Sequence, residues 1–433
     1  MSTLASPATT TGATAAADSA PAEADPAPAA ADSAPDDSGF RDAVRDHADD
    51  LIALRRQVHR RPEIGLHLPQ TQAAVLAALD GLPLEVTTGR SLSSVVAVLR
   101  GGLPGPVVLL RGDMDALPVT ELTGLDYASE VDGVMHACGH DLHVAMLVGA
   151  ARLLSGVRDR LPGSVIFMFQ PGEEGPGGAE PMIAEGLLTA AGEHPVAAYC
   201  IHVLSAIEPF GRFSTRRGPM LAAADTLKVT VRGAGGHGSA PQFAKDPIPA
   251  ACEMVTALQT FVTRSIDIFD PAVVTVGSFH AGTAENVIPA QAEFAATLRS
   301  FSPATRERVR RGVLDVVHGI AAAHGLTADA DYVPGYPVTV NDGGEAEFAA
   351  STAAELFGAD RFAWMANPEA GAEDMSYVLE RVPGAFVNLG ACPPGLDPMT
   401  APLNHAAQAR YDDAVVPDGA VLLAELAWRR LSR

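Results

Sequence analysis

The chain has 433 residues, 47% of them hydrophobic and 19% charged, enough to bury a sizeable core in two or three domains. Its formal net charge of -22 repels nucleic acid and anionic membranes, so neither is expected as a partner. The four cysteines, Cys138, Cys200, Cys252 and Cys392, show no paired spacing, which argues against a disulfide scaffold and suits a reducing cytoplasm.

Residues 1–38 are almost entirely Ala, Pro, Asp, Ser, Thr and Gly. Such a stretch cannot bury a core and is expected to be a disordered tail. It has no basic start followed by an apolar run, so no secretory signal is expected. No apolar run in the chain is long enough to span a bilayer. Folded sequence begins near Phe40. Asp36, Asp37 and Ser38 offer N-cap oxygens, and Val44, Leu51, Ile52, Leu54 and Val58 predict a helical stripe to about His59. A turn follows over residues 59–65, closed by Pro62 and Gly65.

Val95 to Leu99 and Val107 to Leu110 are short runs rich in β-branched residues, and predict two adjacent strands. The second leads into Asp113 and Asp115. Residues Met135 to His143 then pack a thiol, a carboxylate and three imidazoles into one short stretch. They run straight into Val144 to Leu154, apolar and free of proline, which predicts a buried helix. Val165 to Phe169 predicts a strand ending in Gln170-Pro171-Gly172-Glu173-Glu174-Gly175, and Val196 to Ile201 another ending at His202. Helical segments lie between. The fold class expected is α/β: a mostly parallel sheet with helices on both faces, each strand bringing polar residues to its carboxyl end.

The pattern changes near Ala222. Strands are expected over 227–231, 273–279, 291–299 and 328–332, with helices over 249–266 and 304–323. The order β-α-β-β-α-β is that of a ferredoxin-like unit. After Val338 the α/β pattern resumes, with a strand over Phe386 to Leu389 and a closing helix from about Pro417 to Leu431. The expected organisation is therefore a tail (1–38), a catalytic domain in two parts (39–221 and 338–433), and an inserted lid or dimerisation domain (222–337).

Polar metal-ligand residues at the mouth of a buried helix are costly unless something satisfies them. A divalent cation would satisfy Cys138 and His140, since thiolate and imidazole suit borderline metals. A free buried cysteine beside capping His and Asp residues is the alternative. Glu173 and Glu174 repel each other unless a cation lies between them or one holds a proton. A solvated acidic turn is the common fate of such a pair. Here it follows an apolar strand and accompanies a Cys-Gly-His cluster, which favours a metal site. One glutamate would bind metal and the other would deprotonate a water.

Several stretches together are recognisable. They are His59-Arg60-Arg61-Pro62-Glu63-Ile64-Gly65, Arg111-Gly112-Asp113-Met114-Asp115-Ala116-Leu117-Pro118, His136-Ala137-Cys138-Gly139-His140-Asp141, the Glu173-Glu174 turn, Gly235-Gly236-His237-Gly238, Asn286-Val287-Ile288-Pro289 and Ala372-Glu373-Asp374. From about Phe40 to Arg433 the sequence resembles the M20 metallopeptidase family. The closest likeness is to its branch of N-acyl-amino-acid amidohydrolases, with hippurate hydrolases and auxin-conjugate hydrolases.

The resemblance implies five metal ligands, Cys138, His140, Glu174, His202 and His405, with Cys138 bridging two ions. It implies Glu173 as general base and Asp115 as the carboxylate that orients the ligands. It implies that His237 and Asn286 reach the substrate or its oxyanion, in some members from a neighbouring subunit. Tyr411 stands where the family often has Phe.

The guanidinium of Arg299 suits a substrate carboxylate, against the alternative of a solvated strand-end arginine. His136 and His143 are expected to be satisfied helix-end histidines, and Cys200, Cys252 and Cys392 core residues. The expected protein is a cytoplasmic hydrolase holding two divalent ions, Zn or Mn, with Co or Ni as alternatives. It would cleave the amide of small N-acyl or N-aroyl amino acids and pair as a homodimer through the lid. The competing readings are a dipeptidase or aminoacylase of the same family, and a non-catalytic protein that binds amino-acid conjugates.

Overall fold

The computed structural model describes residues 38–433. The tail expected over 1–38 lies outside the described residues except for Ser38. That residue is buried, and its hydroxyl donates to Glu425, so composition placed the boundary slightly too late.

From Phe40 to Leu221 the chain forms helices α1 (Phe40–Ala43), α2 (Ala48–Arg60) and α3 (Pro69–Leu79), then strands β1 (Leu84–Thr88), β2 (Val95–Arg100) and β3 (Leu103–Asp113). Helix α4 (His140–Gly156), β4 (Pro162–Gln170), α5 (Ala179–Ala184), β5 (Ala197–Leu204), β6 (Phe213–Thr215) and β7 (Gly218–Leu221) follow. The next section contains β8 (Ala223–Arg232), β9 (Gly236–His237), α6 (Pro247–Ser265), β10 (Ala272–Ala281), β11 (Val287–Ile288), β12 (Gln291–Ser300), α7 (Pro303–Ala323) and β13 (Thr327–Val333). The chain then returns through β14 (Thr339–Asn341), α8 (Gly343–Phe357), β15 (Phe362–Trp364), α9 (Ser376–Leu379), β16 (Gly384–Gly390) and α10 (Val416–Leu431).

Eight strands make the main sheet, in the order β1-β2-β4-β3-β5-β16-β6-β15. Its centre, β4-β3-β5-β16, is parallel throughout. Antiparallel pairs join β1 to β2, β2 to β4 and β16 to β6. The expected adjacency of β2 and β3 does not occur, because β4 lies between them. The Gly/Pro-rich link between β2 and β3 looks like a hairpin in sequence, yet both strands pair better with the apolar β4.

Both faces of the sheet are covered. On one side Val108, Leu110, Val165, Phe167 and Tyr199 pack with α2, α4 and α10. On the other, Leu109, Ile166, Met168, Ala198 and Cys200 pack with α5 and α9. The alternation is the two-residue period of a strand, and burial on both faces explains why β3 and β4 read as continuous apolar runs. Among the described residues no helix is long and apolar enough to cross a membrane.

The second sheet is antiparallel, with order β10-β12-β8-β13 and α6 and α7 packed on it. This is the ferredoxin-like order expected from the β-α-β-β-α-β pattern. A short β9–β11 ribbon stands beside it. Asp225 ties the entry to the exit of this unit. It accepts from both Arg306 Nη2 (2.6 Å) and Nε (2.9 Å), from the Tyr332 hydroxyl, and from the Gly335 backbone N–H (2.9 Å). Cys200 and Cys392 are buried as expected, but Cys252 on α6 is exposed.

Candidate metal centre

The carboxyl ends of the parallel strands gather the candidate residues. Asp113 ends β3, the Glu173-Glu174 turn follows β4, and His202 lies just inside the end of β5. Cys138 and His140 do not stand at a strand end. They arrive on the long connection after β3, and His140 opens α4. Gly139 between them has φ 81, and a Cβ there would meet Val203 Cγ2 at 2.4 Å. Only glycine fits that turn. Tyr411 closes it from the other side, its hydroxyl donating to the Ala137 carbonyl at 2.7 Å. His405 comes from the segment before α10. It holds φ 72, uncommon for a residue with a side chain, and its N–H donates to Ala137 O at 2.8 Å.

The five expected ligands meet in two groups that share one sulfur. Cys138, His140 and His202 form one, and Cys138, Glu174 and His405 the other, each with its ligand atoms within 4.8 Å of one another. Cys138 Sγ lies 3.4 Å from His202 Nε2, and Glu174 Oε1 lies 3.1 Å from His405 Nε2. Both ring nitrogens of His140 and Glu174 Oε1 are buried without a hydrogen-bond partner. Buried polar atoms are rarely left so. Thiol, imidazole and carboxylate groups converging on two points, with the His140 nitrogens and Glu174 Oε1 lacking partners, fit two divalent cations.

His202 is held in the form that ligates, whereas Cys138 and His140 would each lose a proton to a bound cation. Burial and the Glu174 carboxylate push the Cys138 thiol up to about 12, so a thiolate there requires adjacent positive charge. Burial and the neighbouring His143 hold His202 well below the ordinary imidazole range, in the neutral form that ligates. For His140, burial opposes the cation, but the carboxylates of Asp113 and Asp115, each 3.6 Å from one ring nitrogen, more than offset it. Burial raises Glu173 well above the usual carboxylate range, helped by Glu373 and Glu174.

Asp115 accepts the backbone N–H groups of Glu173 (2.9 Å) and Glu174 (3.0 Å), so it shapes the turn as well as facing His140. His143 is satisfied, as expected. Its Nδ1 bonds Asp113 and its Nε2 accepts the Val203 N–H at 2.9 Å, which uses the lone pair a metal would need. His136 departs from expectation. It is buried, neither ring nitrogen has a partner, and burial pushes its pKa down to about 3.

A cavity of about 780 Å³ opens over the cluster, with Cys138, Glu173, Glu174, His202 and His405 in its lining. Arg299 of β12 reaches it too. His237 and Asn286 do not. His237 lies on the exposed β9–β11 ribbon and Asn286 just before β11, where Gly238 N–H donates to Asn286 O at 2.8 Å and His237 Nδ1 meets the Ser239 hydroxyl at 2.9 Å.

Some structural roles were not assigned from the sequence. Arg111 bonds Asp113 and Glu373 together, while Gln170 Nε2 bonds Asp374 at 2.7 Å. Asn404 Nδ2 donates to Val203 O at 3.0 Å and lies 3.7 Å from Cys138 Sγ. Arg111, Glu373 and Asp374 lay in motifs singled out from the sequence, so only their partners were hidden. Tyr336, whose hydroxyl donates to Glu173 O at 2.7 Å, carried no signal at all.

An α/β body thus gathers soft and borderline ligands at the carboxyl edge of its sheet, beside an open cleft. The chain belongs to the peptidase family M20/M25/M40, whose model matches residues 109–429. It is 38% identical to thermostable carboxypeptidase 1 of Saccharolobus solfataricus, over 80% of this chain and 87% of that one. It is 35% identical to IAA-amino acid hydrolase ILR1-like 4 of Arabidopsis thaliana, over 89% of this chain and 87% of that one. Among solved structures it resembles the YXEP protein of Bacillus subtilis, described as a dinuclear metal binding peptidase from the M20 family. The TM-score is 0.77 at 32% identity, covering 90% of this chain and 99% of that one.

Proposed function

We propose that the protein hydrolyses the amide bond between an acyl or aroyl group and an amino acid. The observation that carries this reading is the pair of ligand groups sharing Cys138, with the Glu173 carboxyl beside them. Cys138, His140 and His202 would hold one divalent cation, and Cys138, Glu174 and His405 a second. Bound there, the ions would polarise the scissile carbonyl and make a water easier to deprotonate. Zn and Mn suit this donor set, as do Co and Ni.

Glu173 serves as the general base. Its carboxyl lies beside His140 and Glu174 of the ligand groups, in position to take a proton from the attacking water and release it to the leaving amine. Asp115 holds the turn and orients His140. Arg299 receives the substrate carboxylate. The four-stranded unit acts as a lid, and closure over the cleft, or a neighbouring copy of the chain, brings His237 and Asn286 to the oxyanion. That role makes a homodimer through this unit part of the same reading.

The amino-acid conjugate named for the Arabidopsis relative supports an N-acyl amino acid as substrate. The carboxypeptidase relative favours a peptide as the second reading. A purely binding role would leave Glu173 without a task. A hydrolysis screen over hippurate, acetyl- and longer acyl-amino acids, and dipeptides, with Zn, Mn, Co and Ni added back, tests the proposal. Release of free amino acid from the acyl substrates is expected. Cleavage of dipeptides alone would replace the first reading by the second.

A further inference from the structure

The cleft has one apolar wall, built by Leu204, Ile207, Leu221, Met365 and Leu403. Ile207 and Leu403 are 53% and 47% exposed, so this wall is open to receive a substrate group. Ile207 holds φ 69, a strained conformation for a β-branched residue, fixed by its N–H donating to Pro398 O at 2.7 Å. Such strain persists where the surroundings over-determine it, and it clusters at ligand-binding positions.

Among these apolar groups stands a carboxylate, Glu369. Its backbone is anchored to β7 and the residue after it: its N–H donates to Met220 O at 2.9 Å and its carbonyl accepts from Ala222 N at 3.1 Å. Its Oε1 accepts from Asn388 Nδ2 at 2.6 Å, and Asn388 lies opposite His202 in the β5–β16 register. Glu208, the other acid of this wall, is paired with Arg212 at 2.6 Å. Glu369 makes no ion pair among the described residues. Burial, together with the Glu208 carboxylate, pushes its pKa up. An acid facing apolar surface without a cation is poorly stabilised as an anion, and a donor from a ligand relieves it.

Arg299 provides for the carboxylate of the amino-acid half of the substrate. Glu369 lines the apolar wall of the same cleft, which suits the other, acyl half. We propose that Glu369 selects acyl groups that combine an apolar body with an N–H donor, either an ammonium or an aromatic amine. The inference rests on the hydrolase reading. It names the substrate class within it and excludes acyl groups that end in a carboxylate, which Glu369 and Glu208 repel.

Two matched pairs test it on the metal-loaded protein: leucyl-glycine against 4-methylpentanoyl-glycine, and 4-aminobenzoyl-glycine against benzoyl-glycine. A charge-assisted hydrogen bond predicts a preference of about tenfold or more in kcat/KM for the donor-bearing member of at least one pair. Preference in the leucyl pair assigns an ammonium, and in the aminobenzoyl pair a neutral amine. Both Glu369→Gln and Glu369→Leu are expected to bring that ratio below about threefold, the first with its fold and its Asn388 contact retained. Calorimetric binding of leucine amide against 4-methylpentanamide repeats the comparison without turnover. Ratios within about twofold in the wild type, in rate and in binding, overturn the inference. If none of the four amides is cleaved, the hydrolase reading falls, and the calorimetry decides on Glu369 alone.

Discussion

The Tyr336 hydroxyl donates to the backbone carbonyl of Glu173 at 2.7 Å. Tyr336 belongs to the linker by which the chain leaves the four-stranded unit, so that unit is bonded directly to the turn carrying the proposed base. Removing the hydroxyl leaves the carbonyl without its partner and loosens the turn. Tyr336→Phe is expected to lower kcat about fivefold, the equivalent of one net hydrogen bond, with little change in KM. Steady-state kinetics on any cleaved substrate check this. A change confined to KM would place Tyr336 in substrate binding instead.

Asp115 faces His140 and caps the N–H groups of Glu173 and Glu174. A carboxylate that both orients a ligand and shapes the turn of another should matter to metal affinity. Asp115→Ala is expected to weaken metal binding or activity by about 10–100-fold. Metal titration monitored by calorimetry measures the first directly.

Asp225 is held below its ordinary carboxylate range. Burial works against the anion, but the hydrogen bonds from Arg306, Tyr332 and Gly335 more than offset it. A depressed folded pKa gives stability that is complete above the unfolded value and is lost as pH falls through the folded one. The four-stranded unit should therefore loosen below about pH 4, near the unfolded Asp value. Hydrogen exchange in β8 and β13 at pH 5 and pH 3 would show it. Asp225→Asn is expected to destabilise the protein by about 1–3 kcal/mol at neutral pH, read from denaturant melts.

Glu173 and Glu174 are adjacent carboxylates with different surroundings. Glu174 Oε1 lies beside His405 in the ligand cluster, while Glu173 is crowded by Glu373 and Asp374. Glu173→Gln keeps the shape of the side chain but cannot accept a proton. It should bind metal almost normally and lose at least about 10²-fold in kcat. Glu174→Gln should lose metal, with activity partly restored by excess ion. Exchanged phenotypes would reverse the two assignments.

The sequence revealed most of what local chemistry encodes. Apolar runs marked β3, β4 and β5, and the β-α-β-β-α-β order marked the four-stranded unit. The five candidate ligands all converge: Glu174 follows β4, His202 lies in β5, His140 opens α4, and Cys138 and His405 come from connections that meet at the same edge of the sheet. Pairing between strands was less legible. Nothing near β2 or β3 announces that β4 will insert between them, since that choice is made by contacts distant in sequence. The same limit hid Tyr336 and Glu369. Each is an ordinary residue in a loop, made relevant only by what the fold sets beside it. It also hid the separation of His237 and Asn286 from the cleft, which no local pattern encodes.

The central claim is that two ions, held through a shared Cys138, make this chain a hydrolase. The most direct test strips the protein with chelator and then titrates Zn or Mn back, while elemental analysis counts bound ions and hydrolysis of an N-acyl amino acid is followed. The account predicts an inactive stripped protein, with activity rising to a plateau at about two ions per chain, and Cys138→Ala binding both ions weakly because both groups share that sulfur. Full hydrolysis by metal-free protein would contradict it.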